Sequence, residues 1–163
     1  MTFPPILLDR VWHSTSPERF GSIIQTKAIL PNPNIDDSER WGTASGPEFF
    51  PFVRYIGGVS LFDFRSFDKD EYSKKCPMSS WQEFVPFSKR INSVIWIEID
   101  INTLKSSFIS GSEVRSLWHA SKQHRRKYMP FIEAAHIGPL PIEAFKKVFQ
   151  YTEKRIVFEE LIY

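Results

Sequence analysis

One short apolar stretch, residues 131–138, constrains the fold more than any other part of the sequence. It reads Phe-Ile-Glu-Ala-Ala-His-Ile-Gly and is followed by Pro-Leu-Pro, which predicts a buried strand of about five residues that ends at Gly138. Glu133 is the only acid in this stretch. A carboxylate on such a strand faces solvent, pairs with a cation or belongs to a site that needs it. The strand alone favours the solvent-facing position, whereas residues elsewhere in the chain favour a site.

The composition predicts one domain without disulfides. The 163 residues, 42% of them hydrophobic, predict a single domain over residues 1–163 that buries about two thirds of its unfolded surface. The net charge of +2 is too small to indicate nucleic-acid binding by itself. Cys76 is the only cysteine, which excludes a disulfide framework and a cysteine-rich metal site and is typical of a reducing compartment. With neither a basic leader nor an apolar run of about 20 residues, the chain is predicted to be cytoplasmic, with no membrane partner.

Alternation of apolar residues predicts three strands before the Glu133 stretch. They cover residues 10–16, 57–63 and 92–100, and the last is rich in β-branched and aromatic residues. We therefore expect residues 92–100 at the centre of a sheet.

A helix start follows the first strand directly. Ser16 is typical of an N-cap, Pro17 of the first helical position and Glu18 of the first turn. Apolar residues at helical spacing continue to Ala28, and Ile29-Leu30-Pro31 is expected to end the helix.

Three later segments are less clearly marked. Residues 80–84, within a mixed segment at 68–87, are expected to be helical. Residues 142–151 fit either a last helix or a strand led in by a turn, and residues 155–158 can close the edge of the sheet.

Two segments indicate a functional surface. Residues 32–53 form a long Pro-, Asn-, Gly- and Ser-rich loop with several aromatic residues, and such loops are often functional. With Tyr55 included, we expect it to form an aromatic wall or lid. Residues 111–128 end in a basic run that is either a solvated helix face or a surface for phosphate or an acidic partner.

Three stretches together resemble one known family. They are His13-Ser14-Thr15-Ser16 on the first strand, Gly58-Val59-Ser60-Leu61-Phe62 on the second, and the Glu133 strand. Their order and placement are similar to the ADP-ribosyltransferase superfamily, in which a His, a Tyr or Ser, and a Glu on successive strands surround one NAD cleft. Within it the chain most resembles the DarT-type toxins, because the His motif runs into a helix and the Glu strand runs into a Pro-Leu-Pro turn.

The resemblance implies a fold, an activity and partners. The implied fold is α+β: a split, mixed but largely antiparallel sheet with packed helices and an NAD cleft between its halves. The implied activity is NAD-dependent mono-ADP-ribosyl transfer of toxin or defence type, with NAD as substrate and a nucleic acid or a protein as acceptor. A toxin of this type implies an antitoxin partner.

The resemblance also implies site residues. Glu133 would accept a hydrogen bond from the ribose 2′-hydroxyl and stabilise the cation formed as nicotinamide leaves. His13 would hydrogen-bond a ribose hydroxyl, and Ser14 and Thr15 would line the cofactor site, with backbone groups at Ser14 holding the nicotinamide amide. Ser60 would fix the nicotinamide ribose.

Two further sets of residues complete the predicted site. In the loop, Arg40 and Arg54 are the cations best placed to meet the pyrophosphate. Residues 115–127 occupy the family's target-recognition position, where cations would bind phosphates and aromatic rings would stack on bases. The candidate target-binding residues are Trp118, Lys122, Arg125, Arg126 and Lys127.

The sequence departs from the family two residues before Glu133. Many protein-modifying members carry Gln or Glu there, whereas this chain carries Phe131. This departure disfavours an arginine acceptor, and the ring could instead stack on a base.

Three alternatives remain open from the sequence. The same cleft with water as acceptor would be an NAD glycohydrolase, and the same fold with a structural Glu133 would be a binding module. A metal-dependent hydrolase is disfavoured because His119 and His124 are five residues apart, not four, and His136 faces away from Glu133 on their strand.

Overall fold

A computed structural model describes residues 2–43, 45–86 and 92–163. Ala44 of the predicted loop and Phe87 of the predicted mixed segment lie outside these ranges. The helices are α1 Pro17–Thr26, α2 Phe52–Tyr55, α3 Lys69–Lys75 and α4 Gly111–Ala120. The strands are β1 Val11–Thr15, β2 Ala28–Ile29, β3 Gly58–Asp63, β4 Ser93–Ile99, β5 Phe108–Ile109, β6 Glu133–Ile137, β7 Leu140–Pro141, β8 Phe145–Thr152 and β9 Val157–Glu160.

The fold is α+β, as predicted. Within the described ranges, seven strands form one sheet in the order β5-β6-β3-β1-β4-β8-β9, and β2 pairs with β7 in a separate ribbon. Every strand pairing in the described ranges is antiparallel, so no parallel pair of the expected mixed sheet is seen there. The central strand is β1, and β4, expected at the centre, lies next to it with Val94 to Ile99 all buried.

The ladder between β1 and β3 is short. These strands pair only at Val11 with Asp63 and at Trp12 with Phe62. Beyond that point β1 continues to pair with β4 through Thr15, and β3 continues to pair with β6 through Gly58. The sheet therefore opens between β1 and β3 after Trp12.

The two faces of the sheet are packed differently. One face buries an aromatic core that includes Trp12, Phe62 and Trp96. The other buries an aliphatic core that includes Leu61 and Ile97. Both cores span the strands on either side of the opening, so the opening is held within a rigid frame.

The start of α1 is as predicted, but its end is not. The Ser16 hydroxyl accepts a hydrogen bond from the Arg19 N–H, as an N-cap does. The helix ends at Thr26 because Lys27 takes a left-handed conformation with φ +57°. Ala28 and Ile29, expected at the helix end, form β2 instead.

The ambiguous later segments are also settled. The helix of segment 68–87 lies at Lys69–Lys75 rather than at residues 80–84, where only a 3-10 turn forms. Residues 142–151 are the turn-led strand of the two alternatives, with a 3-10 turn before β8. The prediction that residues 155–158 close a sheet edge is confirmed in part, because Val157 and Phe158 lie in the edge strand β9 whereas Arg155 and Ile156 form the turn before it.

Candidate active site

Glu133 is buried, so the solvent-facing position suggested by its strand is wrong. It is the first residue of β6 and is 3% exposed. Its Oε1 accepts a hydrogen bond from the Ser60 hydroxyl at 2.8 Å, and its Oε2 accepts one from the Met129 N–H at 2.8 Å. Burial raises the pKa of Glu133, and these two donors oppose that shift.

A tight turn over residues 129–133 holds this carboxylate. The Glu133 N–H donates to the Met129 carbonyl at 2.9 Å, and Phe131 takes a left-handed φ of +66°. The Tyr72 hydroxyl donates to the Pro130 carbonyl at 2.7 Å and so ties the turn to α3. Burial raises the pKa of Tyr72, which keeps this hydroxyl protonated. The carboxylate is therefore fixed before any ligand binds.

The first residue of α4 packs directly on the same turn. A Cβ at Gly111 would lie 1.8 Å from the Phe131 carbonyl oxygen and 2.3 Å from its carbonyl carbon. Ser110 and Glu113 form a capping box that fixes this end of the helix. Only glycine therefore allows α4 to approach the turn this closely.

His13 stands at the opening of the sheet. Its Nδ1 lies 3.0 Å from the Ser60 carbonyl oxygen. Because a carbonyl only accepts, Nδ1 carries the hydrogen, and in the neutral ring Nε2 is left as an acceptor. Burial lowers the pKa of His13, and the hydrogen bond to the Ser60 carbonyl opposes this shift. Because burial is the larger effect, the surroundings favour the neutral ring.

Ser60 connects two of the other predicted site residues, His13 and Glu133, by hydrogen bonds. Its hydroxyl donates to Glu133 while its carbonyl accepts from His13. The strand registers place Ser14, Ser60 and Glu133 on one face of the sheet and His13 and Thr15 on the other. Ser60 is exposed, Ser14 is half-buried and Thr15 is buried. The hydrogen bonds of Ser60 therefore join the three sequence motifs beside the opening between β1 and β3, although the side chains of His13 and Glu133 start from opposite faces of the sheet.

Arg40 and Arg54 lie in one cluster with Asp37. The Arg54 guanidinium bonds the Asp37 carboxylate at 2.9 Å and stacks 3.8 Å from the centre of the Phe50 ring. Arg40 donates to the Asn32 side chain at 2.8 Å. Within the described residues, Nη1 of Arg54 is buried and has no hydrogen-bond partner. An anion that displaced the atoms covering Nη1 could satisfy this donor.

Arg19 is a third member of this arginine cluster and was not among the residues predicted from the sequence. It lies in the first turn of α1 and donates to the Glu39 carbonyl at 2.7 Å. Burial lowers the pKa of Arg40, the neighbouring charges of Arg54 and Arg19 lower it further, and Asp37 opposes them. The position of Arg19, in the first helical turn after the His13 strand, was the sequence signal that could have indicated its place near the site.

The basic segment and the aromatic loop are fastened together. Arg126 donates to the carbonyls of Pro47 at 2.9 Å and Phe50 at 3.2 Å, and its guanidinium lies 4.1 Å from the centre of the Tyr55 ring. The Trp118 indole N–H donates to the Arg126 carbonyl at 2.9 Å. The loop therefore packs against the basic segment at Arg126. The guanidinium of Arg126 is already hydrogen-bonded to loop carbonyls.

The other predicted target-binding cations remain exposed. They are Lys122, Arg125 and Lys127. The Arg125 guanidinium lies 5.9 Å from the centre of the Phe49 ring, at the limit of a cation–π contact. Their contact with a target stays a prediction.

Phe131 has a different environment from the one expected of a free stacking ring. The Lys75 ammonium lies 4.1 Å and the Arg115 guanidinium 4.9 Å from its ring centre. The ring borders a cavity of about 880 Å³ that also contacts α3 and the start of α4. Two cations therefore already contact this ring.

No protein-family model matches the chain, and none of the curated proteins compared with it is significantly similar. Across residues 2–43, 45–86 and 92–163, no three His, Cys, Asp or Glu side chains are grouped so that they could hold a metal ion. No helix in those ranges is long and apolar enough to cross a membrane. The functional assignment therefore depends on the residues at the sheet opening.

Proposed function

We propose that this chain is an NAD-dependent mono-ADP-ribosyltransferase of toxin or defence type, which breaks the nicotinamide–ribose bond of NAD and transfers ADP-ribose to a nucleic-acid or protein acceptor. One observation carries the proposal: Ser60 is hydrogen-bonded to both His13 and Glu133. The residues that the resemblance assigns to NAD thus meet at one opening, although they come from distant parts of the sequence.

Glu133 supplies the main catalytic effect. As the C1′–N bond breaks, its electron pair leaves with nicotinamide and positive charge develops on the ribose. A fixed carboxylate in a partly dry site stabilises this charge more than it stabilises the ground state. Each carboxylate oxygen has two lone pairs, so Glu133 can accept from the ribose 2′-hydroxyl and keep its bonds to Ser60 and Met129. The acceptor nucleophile then bonds to C1′, and its proton passes to solvent water, so the products are the ADP-ribosylated acceptor, nicotinamide and H⁺.

His13 and the arginine cluster hold the rest of the substrate. The Nε2 lone pair of neutral His13 accepts from a ribose hydroxyl, since Nδ1 is held by Ser60. The buried, unpartnered Nη1 of Arg54 matches an anionic pyrophosphate oxygen. Ser14 and Thr15 continue β1 into the opening, where backbone groups at Ser14 would hold the nicotinamide amide.

The first test is nicotinamide release from NAD by the purified protein, compared with a Glu133→Ala variant, with and without single-stranded DNA, RNA or cell lysate. Glu133-dependent release that increases with one of these additions would establish a transferase and identify its acceptor class. Glu133-dependent release from NAD alone would instead indicate a glycohydrolase. No release and no NAD binding under any condition would refute the proposal and leave a binding module.

Growth of cells that express the chain is a second, independent test of the proposal. Expression of the active chain is expected to slow growth of the host cell, whereas expression of Glu133→Ala at the same level is not. Suppression of the toxicity by a co-expressed neighbouring gene would identify an antitoxin. Equal growth with both chains would contradict the toxin assignment.

Removal of the charge of Arg54 is expected to weaken NAD binding by about tenfold or more, because one charge-assisted hydrogen bond contributes about 1.5–3 kcal/mol. The change is Arg54→Gln, with Arg40→Gln as a second variant. Binding is measured by calorimetry in a Glu133→Gln background, so that NAD is not consumed. Lys154→Gln, at an exposed position in the turn before β9, is the control. Unchanged affinity in both arginine variants, with intact folds, would contradict the pyrophosphate assignment.

Nicotinamide release is expected to fall as the pH is lowered. Glu133 acts in its ionised form, and burial raises its pKa above the ordinary value of 4.5, so its contribution is lost as the pH falls through that raised value. His13 acts in its neutral form, and burial lowers its pKa, so its contribution is lost only as the pH falls through a value below the ordinary 6.5. Neither group is expected to lower nicotinamide release as the pH rises.

A Ser60→Ala variant distinguishes the titration of Glu133 from that of His13. The Ser60 hydroxyl lowers the pKa of Glu133, so its removal is expected to move the Glu133 limb to higher pH. The measurement is kcat/KM from pH 4.5 to 8.5 for both chains. A limb that moves to lower pH, or a flat profile, would contradict this account of Glu133.

A further inference from the structure

The turn that holds Glu133 contains a strained residue. Phe131 has a φ of +66°, in the left-handed region that a residue with a Cβ rarely adopts. The Ile132 N–H donates to the Pro130 carbonyl at 2.9 Å, so residues 130–132 form a γ-turn with Phe131 at its centre. A positive φ at the centre is typical of the rare, strained form of this turn. Such a conformation persists only where its surroundings hold it.

The position of the Glu133 carboxylate depends on this γ-turn. The Met129 N–H donates to Oε2 of Glu133 at 2.8 Å, and the Glu133 N–H donates to the Met129 carbonyl at 2.9 Å. Residues 130–132 connect these two hydrogen-bonded residues. Relaxation of Phe131 to a negative φ would rotate the peptide groups on either side of it and would move the Met129 N–H relative to the carboxylate.

Hydrogen bonds from two other segments hold the γ-turn in place. The Asp63 N–H donates to the Ile132 carbonyl at 2.7 Å. The Tyr72 hydroxyl donates to the Pro130 carbonyl at 2.7 Å, so this carbonyl accepts from both Ile132 and Tyr72. The Asp63 donor belongs to the backbone, whereas the Tyr72 donor belongs to a side chain and can be removed by substitution.

The Tyr72 hydroxyl has a fixed direction. Because the Pro130 carbonyl only accepts, the hydroxyl hydrogen of Tyr72 points to it, and the Ser79 hydroxyl at 2.9 Å donates to the Tyr72 oxygen. Tyr72 is 7% exposed and belongs to the aromatic core. Its ring is therefore packed rigidly, and its hydroxyl is held against the turn.

We infer that Tyr72 is a positioning residue for Glu133. Its hydroxyl holds the Pro130 carbonyl, keeps Phe131 in the left-handed conformation and so keeps the Glu133 carboxylate against the Met129 N–H. Tyr72 acts through the turn rather than on the substrate. The positioning of the carboxylate follows from the geometry of the turn, whereas its effect on nicotinamide release rests on the proposed function.

Tyr72→Phe tests this role, and Tyr128→Phe is its matched control. Each substitution removes one phenolic hydroxyl and keeps the ring. Tyr128 directly precedes Met129 and packs on Trp118 with ring centres 4.9 Å apart. Across the described residues, its hydroxyl makes no hydrogen bond. The control therefore lacks only the contact with the turn.

Neither substitution changes the charges around Glu133. Burial raises the pKa of both Tyr72 and Tyr128, so both are neutral over the range of the titration. The cations Lys75 and Arg115, which lie beside the turn, remain in every chain. A change in the titration of Glu133 would therefore report a change in its hydrogen bonds.

The first readout is the titration of the Glu133 carboxyl carbon by ¹³C NMR from pH 4.5 to 8.5, with the signal assigned by its absence from the Glu133→Gln chain. The Met129 N–H lowers the pKa of Glu133, so displacement of this donor raises it. Tyr72→Phe is expected to move the titration to higher pH, whereas Tyr128→Phe is not. A loss of packing alone would lower the melting temperature without moving the titration.

The second readout is nicotinamide release. Tyr72→Phe is expected to lower kcat by about two- to tenfold, which corresponds to the net effect of one hydrogen bond. The KM for NAD should stay unchanged, because Tyr72 contacts the turn and not the opening of the sheet. Tyr128→Phe should change neither constant.

Three results would overturn the inference: an unchanged Glu133 titration in Tyr72→Phe, an equal shift in Tyr128→Phe, or full kcat in Tyr72→Phe. Absence of nicotinamide release from every chain, the unmodified one included, would refute the proposed function instead. The titration would then still decide whether Tyr72 positions the carboxylate, since it does not require activity.

Discussion

Glu133→Gln is expected to reduce nicotinamide release by about 10²-fold or more, since removal of one preorganised charge-stabilising group commonly has an effect of this size. The side chain keeps its shape and both neighbours. Its amide oxygen can accept from the Met129 N–H, and its amide nitrogen can donate to the Ser60 hydroxyl oxygen, at the two positions that the carboxylate oxygens hold. The variant therefore tests the charge and not the packing. Release at the unmodified rate would refute the catalytic role of Glu133.

The same variant is expected to melt at a higher temperature than the unmodified chain at pH 8. Burial raises the pKa of Glu133, so the folded state binds its proton more tightly than the unfolded state does. Above the ordinary pKa of 4.5, ionisation of this group therefore costs stability, and the cost grows until the pH passes the folded pKa. The uncharged amide of the Glu133→Gln variant would carry no such cost, so the difference in melting temperature should shrink at pH 5.

Glu133→Ala is the matched control for stability. It removes the charge but leaves the buried Met129 N–H without its acceptor, which costs about 1–3 kcal/mol. We expect Glu133→Ala to melt below Glu133→Gln at every pH, although both lose the activity. A Glu133→Gln variant that is less stable than the unmodified chain at pH 8 would show that burial of the charge is not costly here.

Gly111→Ala is expected to lower the free energy of unfolding by about 3 kcal/mol or more. The added Cβ would overlap two backbone atoms of Phe131, at 1.8 Å and 2.3 Å, and backbone cannot rotate away as a side chain can. Relief requires α4 or residues 131–132 to move. Movement of residues 131–132 would displace Glu133, so nicotinamide release should fall as well.

Gly21→Ala is the control for this variant. Gly21 lies inside α1, and a Cβ there would have no atom within 4 Å. Alanine should therefore stabilise the helix by about 0.5–1 kcal/mol. Denaturant unfolding of the three proteins measures both effects, and equal stability of Gly111→Ala and the unmodified chain would contradict the close packing of α4 on the turn.

The elements that the sequence predicted best are those that depend on residues adjacent in the chain. The Ser16 cap and the strands around His13, Ser60 and Glu133 follow from local pattern, and all were found where expected. The helix α3 was missed because only Tyr72 of its residues is buried, so it has no apolar stripe. Its signals were the Asp68 cap and the charges at its two ends.

The parts of the site that were missed depend on contacts between distant segments. Met129 binds Glu133 through a backbone N–H, which no side-chain pattern reveals. Tyr72 contacts the turn through a residue 58 positions away. Arg126 was expected to face a target, but the loop supplies two carbonyls for it from 76 and 79 residues away. Tertiary structure decides such contacts.

The attachment of Arg126 to the loop has a thermodynamic consequence for two-substrate binding. The Phe50 carbonyl accepts from Arg126, while the Phe50 ring packs against Arg54. An acceptor that drew the Arg126 guanidinium away would release Phe50 and alter the arginine cluster. The affinities for acceptor and NAD would then be linked by one coupling free energy, and each would change the other by the same factor.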